Sequence, residues 1–342
     1  MKKRIDSEME RFVVKMDEEY ALRSVSPLLY SRIKNFIMRP GKRVRPILFA
    51  AGYLGFAAKS AAGLYTSALS IELLHDFMLV HDDILDKSDT RRGEPSLHCV
   101  FDADLKKYKN LKFNGQDLAL IAGDVIYAMA VNAFFKIKED PVRKQKALSR
   151  FIRAAVDTGV GEFIELTGEL KSLDRTKLKD IYRVYDHKTA YYTFACPLST
   201  GATLAGAAKR QVESLAGYGM RLGRAFQIKD DILGMFSDKA ETGKSVLTDL
   251  QEAKKTVLVW YAFKNGKPAQ RTMIKKLFAR KKVNKKDLMI MRDLLKETNA
   301  LAFAQKEISK LAAEAEILLS SCRIKPFYKK QLNNFSDKLL SA

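Results

Sequence analysis

HDFMLVHDDILDKSDTRRGEPSLH, residues 75–98, sets three carboxylates, Asp82, Asp83 and Asp86, at positions i, i+1 and i+4. On a helix advancing about 100° per residue they fall at roughly 0°, 100° and 40°, so all three share one face. Phe77, Met78, Leu79 and Val80 lead into the cluster and Ile84 and Leu85 interrupt it, so the same helix also feeds a core. Carboxylates gathered there lose solvation, and cations must balance them. Hard divalent ions do this with oxygen ligands, and Mg²⁺ typically takes one or two carboxylates together with substrate phosphates. Arg91 and Arg92 follow closely, and their forked donors suit an anion such as a diphosphate. A solvated acidic helix end before a basic loop would carry the same letters, since short motifs recur by chance.

A second copy shifts that balance. GRAFQIKDDILGMFSDKAETGKSVLTDLQEAKKT, residues 223–256, repeats the tetrapeptide DDIL with Asp230 and Asp231. Gly234 stands where a third acid would complete the triplet, and Asp238 would return to the same face only if the helix ran past that glycine. Lys244, Lys254 and Lys255 lie downstream, again acids followed by cations.

Composition narrows the class. At 342 residues the chain can bury a large core, and 47% apolar with 30% charged residues describes a globular protein. Only 8 prolines and 18 glycines interrupt long runs of Ala, Leu, Lys, Glu and Ile, which favours helices; no alternating Val/Ile/Thr stretch demands a sheet. A net charge of +21 admits nucleic acid, an anionic membrane surface or small polyanions as partners. The basic run 264–286 has few interleaved aromatics and reads as a solvated helical surface. Three scattered cysteines, Cys99, Cys196 and Cys322, argue against a disulfide framework and fit a reducing cytosol. The N-terminus is charged throughout, so no signal peptide is expected. LALIAGDVIYAMAVNAFF, residues 118–135, holds Asp124 and Asn132 and reads as a buried helix, not a membrane span.

Along the chain, the spacing predicts helices over 7–38, 47–58, 60–85, 115–136, 142–170, 176–206 and 207–236, and several amphipathic helices from 250 onward. GKRVRP places Lys42, Arg43 and Arg45 at a helix start, where cations oppose the dipole unless a bound anion draws them together; a solvated basic turn is the other reading. His75 lies two turns before Asp82 on the same face, as a ligand or a core histidine. Glu162, Glu165 and Glu169 recur at helical spacing, facing cations or water. Lys188 and Thr189 sit on an otherwise apolar helix, where a lysine is a candidate phosphate contact. No linker divides the chain, so a single domain, 1–342, is expected, with two acidic helices facing one cavity.

With GKRVRP, HDFMLVHDDILDKSDTRRG, LIAGDVIYA, KTAYY and GRAFQIKDDILG followed by TGK and KKT in order, the chain resembles the trans-isoprenyl diphosphate synthases of the polyprenyl synthetase family across roughly residues 35–260. The resemblance implies an all-α, single-domain bundle with a central active-site cavity, the helices of 261–342 packing on it, in a cytoplasmic homodimer. It implies a Mg²⁺-dependent transfer, with three ions per active site, joining isopentenyl diphosphate to an allylic diphosphate (dimethylallyl, geranyl or farnesyl). Asp82 and Asp86, supported by Asp83, and Asp230, beside Asp231, match the metal-binding positions. Lys42, Arg45, His75 and Arg92 match those that hold isopentenyl diphosphate. Arg91, Lys188, Thr189, Gln227 and Lys244 match those that contact the allylic diphosphate. Departures are Gly234 for the last acid of the second motif and GEFIEL where Gln and Asp are common.

Phe77, five residues before Asp82, and Met78 beside it match the positions that limit product length. An aromatic there resembles the archaeal-type geranylgeranyl synthases, with the farnesyl product as the alternative. A non-catalytic partner subunit would lack the first acidic motif, and a terpene cyclase would lack the second DD with its lysines. A basic nucleic-acid-binding protein would need a reading helix or ordered aromatics, and neither is present. No nucleic acid and no transmembrane segment are expected, though the greasy product invites transient membrane contact.

Overall fold

The computed structural model describes residues 1–91, 93–168, 170–237 and 247–341, with Thr248 described by its backbone alone. In chain order its helices are α1 (Lys2–Tyr20), α2 (Leu22–Val25), α3 (Pro27–Ile37), α4 (Val44–Leu54), α5 (Leu64–Leu85), α6 (Leu97–Leu105), α7 (Gly115–Phe134), α8 (Pro141–Gly168), α9 (Leu178–Tyr185), α10 (Cys196–Leu204) and α11 (Lys209–Phe236). Among the described residues six shorter or amphipathic helices follow, including Val257–Asn265 and Ala300–Ser321. The all-helical expectation holds: among the described residues, strands are confined to the two-residue hairpin β1 (Thr90–Arg91) and β2 (Glu94–Pro95).

Two compact units are distinguished, the first comprising Met1–Phe151 with Pro197–Ala207, the second Ile152–Cys196 with Ala208–Ala342. In the first, α5 is the central helix, packed along α7 and flanked by α1 and α4. Every residue from Ser67 to Asp76 is buried, so this segment is enclosed all round. Each of its large aliphatics stabilises the unit by about 1.5–3 kcal/mol. Two polar groups inside it find partners: the Ser67 hydroxyl donates to the Phe134 carbonyl at 2.8 Å, and Glu72 accepts from Arg43 at 3.1 Å. The helix begins where Gly63, at φ 78, turns the chain. α7 begins at Gly115 because Asn114 accepts from the amides of Gln116 and Asp117 while Asp117 caps the Asn114 amide.

α7 is long and apolar enough to cross a membrane by composition, but 44% of its apolar 18-residue window is buried inside the protein. Its exposed apolar residues include Leu120 and Ile121.

In the second unit α11 packs against Ala300–Ser321 and against the segment Asp186–Ala195. Sequence spacing predicts one helix over 176–206; instead the chain widens into π-helical turns from Asp186 to Ala195, between α9 and α10. Gly223 of α11 makes that approach possible, because a Cβ there would collide with Ala190. A core of Leu258, Val259, Ile274, Met291, Leu295 and their neighbours fills the rest.

Candidate active site

Asp82 and Asp83 occupy the last turn of α5, and Asp86 caps it. The helix dipole puts partial negative charge at that end, so three carboxylates there are electrostatically disfavoured until cations arrive. The β1–β2 hairpin brings one: Arg91 donates through Nε to Asp83 at 2.7 Å and through Nη2 to Asp82 at 2.8 Å. Lys87, in the left-handed region at φ 52, starts the reversal that makes this return possible. Asp83 is buried against Arg91 at 1% exposure, whereas Asp82 and Asp86 stay partly exposed. Two outward carboxylates over one inward carboxylate held by arginine can accept an oxygen-seeking ion without losing the helix end. His75 is buried on the same helix. Phe77 lies with its ring centroid 4.6 Å from that of His81 and 5.1 Å from that of Tyr127 on α7.

The basic turn differs from its expected form. Arg43 is 3% exposed, adopts φ 52, and donates to Glu72, to Asp6 and to the carbonyls of Ile37 and Arg39. It is therefore an internal tie between α5, α1 and the end of α3, not one of three cations converging on an anion. Lys42 is exposed and Arg45 half-buried on either side of it.

In the second unit the residues singled out from α9 to α11 form one chain of hydrogen bonds. Thr189 Oγ1 donates to Gln227 Oε1 at 2.8 Å, and Gln227 Nε2 donates to Asp231 at 3.1 Å. The Tyr185 hydroxyl donates to the other Asp231 oxygen while accepting the Val257 amide at 3.1 Å. Burial, with the charges of Asp249 and Asp230 nearby, pushes the Asp231 carboxyl well above its usual range despite the bonds from Tyr185 and Gln227. Burial and the Asp231 charge likewise push the Tyr185 hydroxyl up. Asp230, one residue earlier, is exposed. The DD pair thus divides into an outward and an inward acid, as Asp82 and Asp83 do.

Lys188, within the π-helical turns, pairs with Glu162 at 2.8 Å and with Glu165. Those two glutamates therefore face a cation. π-helical turns often mark functional positions, since the extra residue per turn re-aims side chains.

Asp249 was not singled out by sequence spacing, nor was Tyr185. A Cβ on Gly234 would collide with the Asp249 carboxylate, so the space of the missing third acid is taken by an acid from fifteen positions on. Lys254 pairs with Asp249 at 3.3 Å and with Glu252 at 2.9 Å. Burial opposes its charge, but Asp249, Glu165 and Glu252 outweigh that and hold its pKa well above the usual range. Lys255 turns away and donates to the carbonyls of Gly168 and Lys171, both at 2.6 Å. Arg92, Glu169, Asp238 and Lys244 lie outside the described residues.

An all-helical frame bearing carboxylate clusters, each with its own lysine or arginine, defines an enzyme class that handles anions with hard divalent ions. Comparison with known proteins narrows the class. The sequence pattern of the polyprenyl synthetase family matches residues 26–295. The geranylgeranyl diphosphate synthase of Sulfolobus acidocaldarius is 33% identical over 279 residues, 79% of this chain and 78% of that protein. The geranylfarnesyl diphosphate synthase of Aeropyrum pernix is 30% identical, covering 88% of this chain and 89% of that one. The crystal structure of a Corynebacterium glutamicum geranylgeranyl pyrophosphate synthase, complexed with isoprenyl diphosphate and magnesium, superposes with a TM-score of 0.89 at 25% identity over 99% of this chain and 97% of that one. The chain belongs to the polyprenyl synthetase family and is a prenyltransferase.

Proposed function

We propose that this protein joins isopentenyl diphosphate to an allylic diphosphate and releases geranylgeranyl diphosphate. The observation that carries the reading is the pair of DDIL helix faces, each with one acid turned out and one held inward. Both donor sets consist of carboxylate oxygens, the chemistry Mg²⁺ selects over softer ions. Asp82 and Asp86, and separately Asp230, are assigned to the metal, with Asp83 and Asp231 as their inward supports. Bound Mg²⁺, three ions in this reading, would neutralise the departing diphosphate.

The remaining work falls to side chains of the chain itself. Arg91, Lys188 and Lys244 bind the allylic diphosphate and stabilise charge as its C–O bond breaks. Before substrate arrives, Asp82, Asp83, Glu162 and Glu165 occupy the donors of Arg91 and Lys188. The diphosphate therefore exchanges one anionic partner for another, and neither cation is left uncompensated in between. Lys42, Arg45, His75 and Arg92 orient the isopentenyl diphosphate. The oxygens of Thr189 and Gln227, fixed by the hydrogen-bond chain to Asp231 and Tyr185, face the carbocation. Attack by the isopentenyl double bond and loss of a proton to the released diphosphate complete the cycle without a protein nucleophile.

Phe77, braced by His81 and Tyr127, is assigned to the floor that stops chain growth, with Met78 beside it. Relatives named geranylgeranyl and geranylfarnesyl diphosphate synthases support a product longer than farnesyl diphosphate. Chain-length assignment rests on one assay: incubation with isopentenyl diphosphate and each starter, then sizing of the dephosphorylated alcohols. Geranylgeraniol as the main alcohol is expected; farnesol or no alcohol would overturn the assignment. The single catalytic domain 1–342, the cytoplasmic location and the homodimer belong to the same proposal. The homodimer is supported by Ile152, Val156, Val160 and Phe163, exposed apolar residues that share one face of α8.

A further inference from the structure

Three residues after Asp86 the chain leaves the aspartate face, and the hairpin folds it back. Thr90 pairs with Pro95 and Arg91 with Glu94. The Ser96 amide donates to the Asp89 carbonyl at 2.9 Å, and the Ser96 hydroxyl donates to the Ser88 carbonyl at 2.5 Å. This closure sets the Asp89 carboxylate against the first turn of α6, where His98 and Cys99 stand. Ligand atoms of the three residues all lie within 4.8 Å of one another, and the Cys99 thiol donates to Asp89 Oδ1 at 3.8 Å. His98 is only 5% exposed, yet among the described residues its Nδ1 has no hydrogen-bond partner. A buried imidazole nitrogen left unmatched carries a desolvation penalty that a ligand would remove.

We propose that Asp89, His98 and Cys99 bind a divalent cation of the zinc class. One oxygen, one nitrogen and one sulfur donor make a borderline-soft set, suited to Zn²⁺ or Co²⁺ and poorly suited to Mg²⁺. It therefore differs in kind from the all-carboxylate clusters. Three protein ligands leave a fourth tetrahedral position for water. Asp89 is exposed and Cys99 half-buried, which gives the ion a path in. As the S–metal bond forms, the Cys99 thiol gives up its proton to solvent. Occupancy ties together the two ends of the hairpin that carries Arg91, and so fixes the cation that covers Asp82 and Asp83.

The test uses the full-length protein and Co²⁺ as a spectroscopic probe in excess Mg²⁺, so it does not depend on catalysis. One equivalent of Co²⁺ is expected to give tetrahedral d–d bands and a thiolate-to-metal charge-transfer band, both lost on adding Zn²⁺. Cys99→Ser, a near-isosteric change at a half-buried position, should abolish the charge-transfer band and weaken Co²⁺ binding at least about 100-fold, more than removal of an outer-shell partner usually costs. His98→Gln should weaken binding comparably while leaving the band's sulfur origin intact. Absence of the thiolate band in the wild-type protein overturns the proposal. So does its survival in Cys99→Ser, which would assign it to Cys196 or Cys322.

Discussion

Gly234 and Asp249 show how one residue's missing side chain can be made good by another's. A Cβ at 234 would collide with the Asp249 carboxylate, so the glycine and the distant acid are two halves of one arrangement. Replacing Asp249 with Asn should lower turnover roughly 10–100-fold and raise the Mg²⁺ concentration needed for half-maximal rate, as loss of an outer-shell partner does. Gly234→Ala should move both quantities in the same direction by displacing that carboxylate. A Mg²⁺ titration of initial rates checks both, and unchanged curves would leave Asp249 without a catalytic part. Arg43 makes the complementary case for stability. Removing its side chain while Glu72 stays buried should cost ~3–5 kcal/mol, seen as a lower urea midpoint for Arg43→Ala. Replacing both Arg43 and Glu72 with apolar residues should recover much of the loss. A variant Arg43→Ala that unfolds at the wild-type midpoint would show the pair to be dispensable.

At the scale of elements, α5 carries its core residues, its acids and Phe77, the aromatic proposed to limit product length, on one continuous helix. Phe77→Ala should release longer prenyl chains, and Tyr127→Ala, which removes the ring behind Phe77, should do so to a smaller degree. Unchanged alcohol lengths in Phe77→Ala would place the floor elsewhere. What the sequence made legible were features that depend on local periodicity: the helix ending at Leu85, the helix beginning at Gly115, and the acids sharing a face. Thr189, Gln227 and Asp231 were singled out from their motifs, and the structure links them by a bond chain that the motifs do not reveal. Tyr185 and Asp249 escaped notice because tertiary packing alone brings them to the second DD pair. Arg43 looked like an anion-binding cation because nothing in GKRVRP reveals Glu72, a partner from another helix. The widening at Asp186–Ala195 was hidden because Ala190 to Ala195 are all buried, so that stretch shows no period by which a π-helical turn could be told from an ordinary one.

For the molecule as a whole, charge and exposed apolar surface set the expectations. A net charge of +21 suits an enzyme whose substrates each carry a diphosphate, by raising their concentration near the surface. The apolar row on α8 is larger than isolated surface hydrophobics need, and a second copy of the chain is the proposed cover. Val156→Glu combined with Phe163→Glu should shift the protein from twice the 38.7 kDa chain mass to the single mass in light scattering. A wild-type protein that already scatters as a single chain would remove that proposal. The central claim is that both aspartate faces serve one prenyl transfer. The most direct measurement is diphosphate release from isopentenyl diphosphate and geranyl diphosphate with Mg²⁺ by the Asp230→Asn variant, whose first motif is intact. A fall of about 10²–10³-fold in kcat, the scale expected when a group stabilising transition-state charge is lost, is the predicted result. Release at the wild-type rate would contradict it.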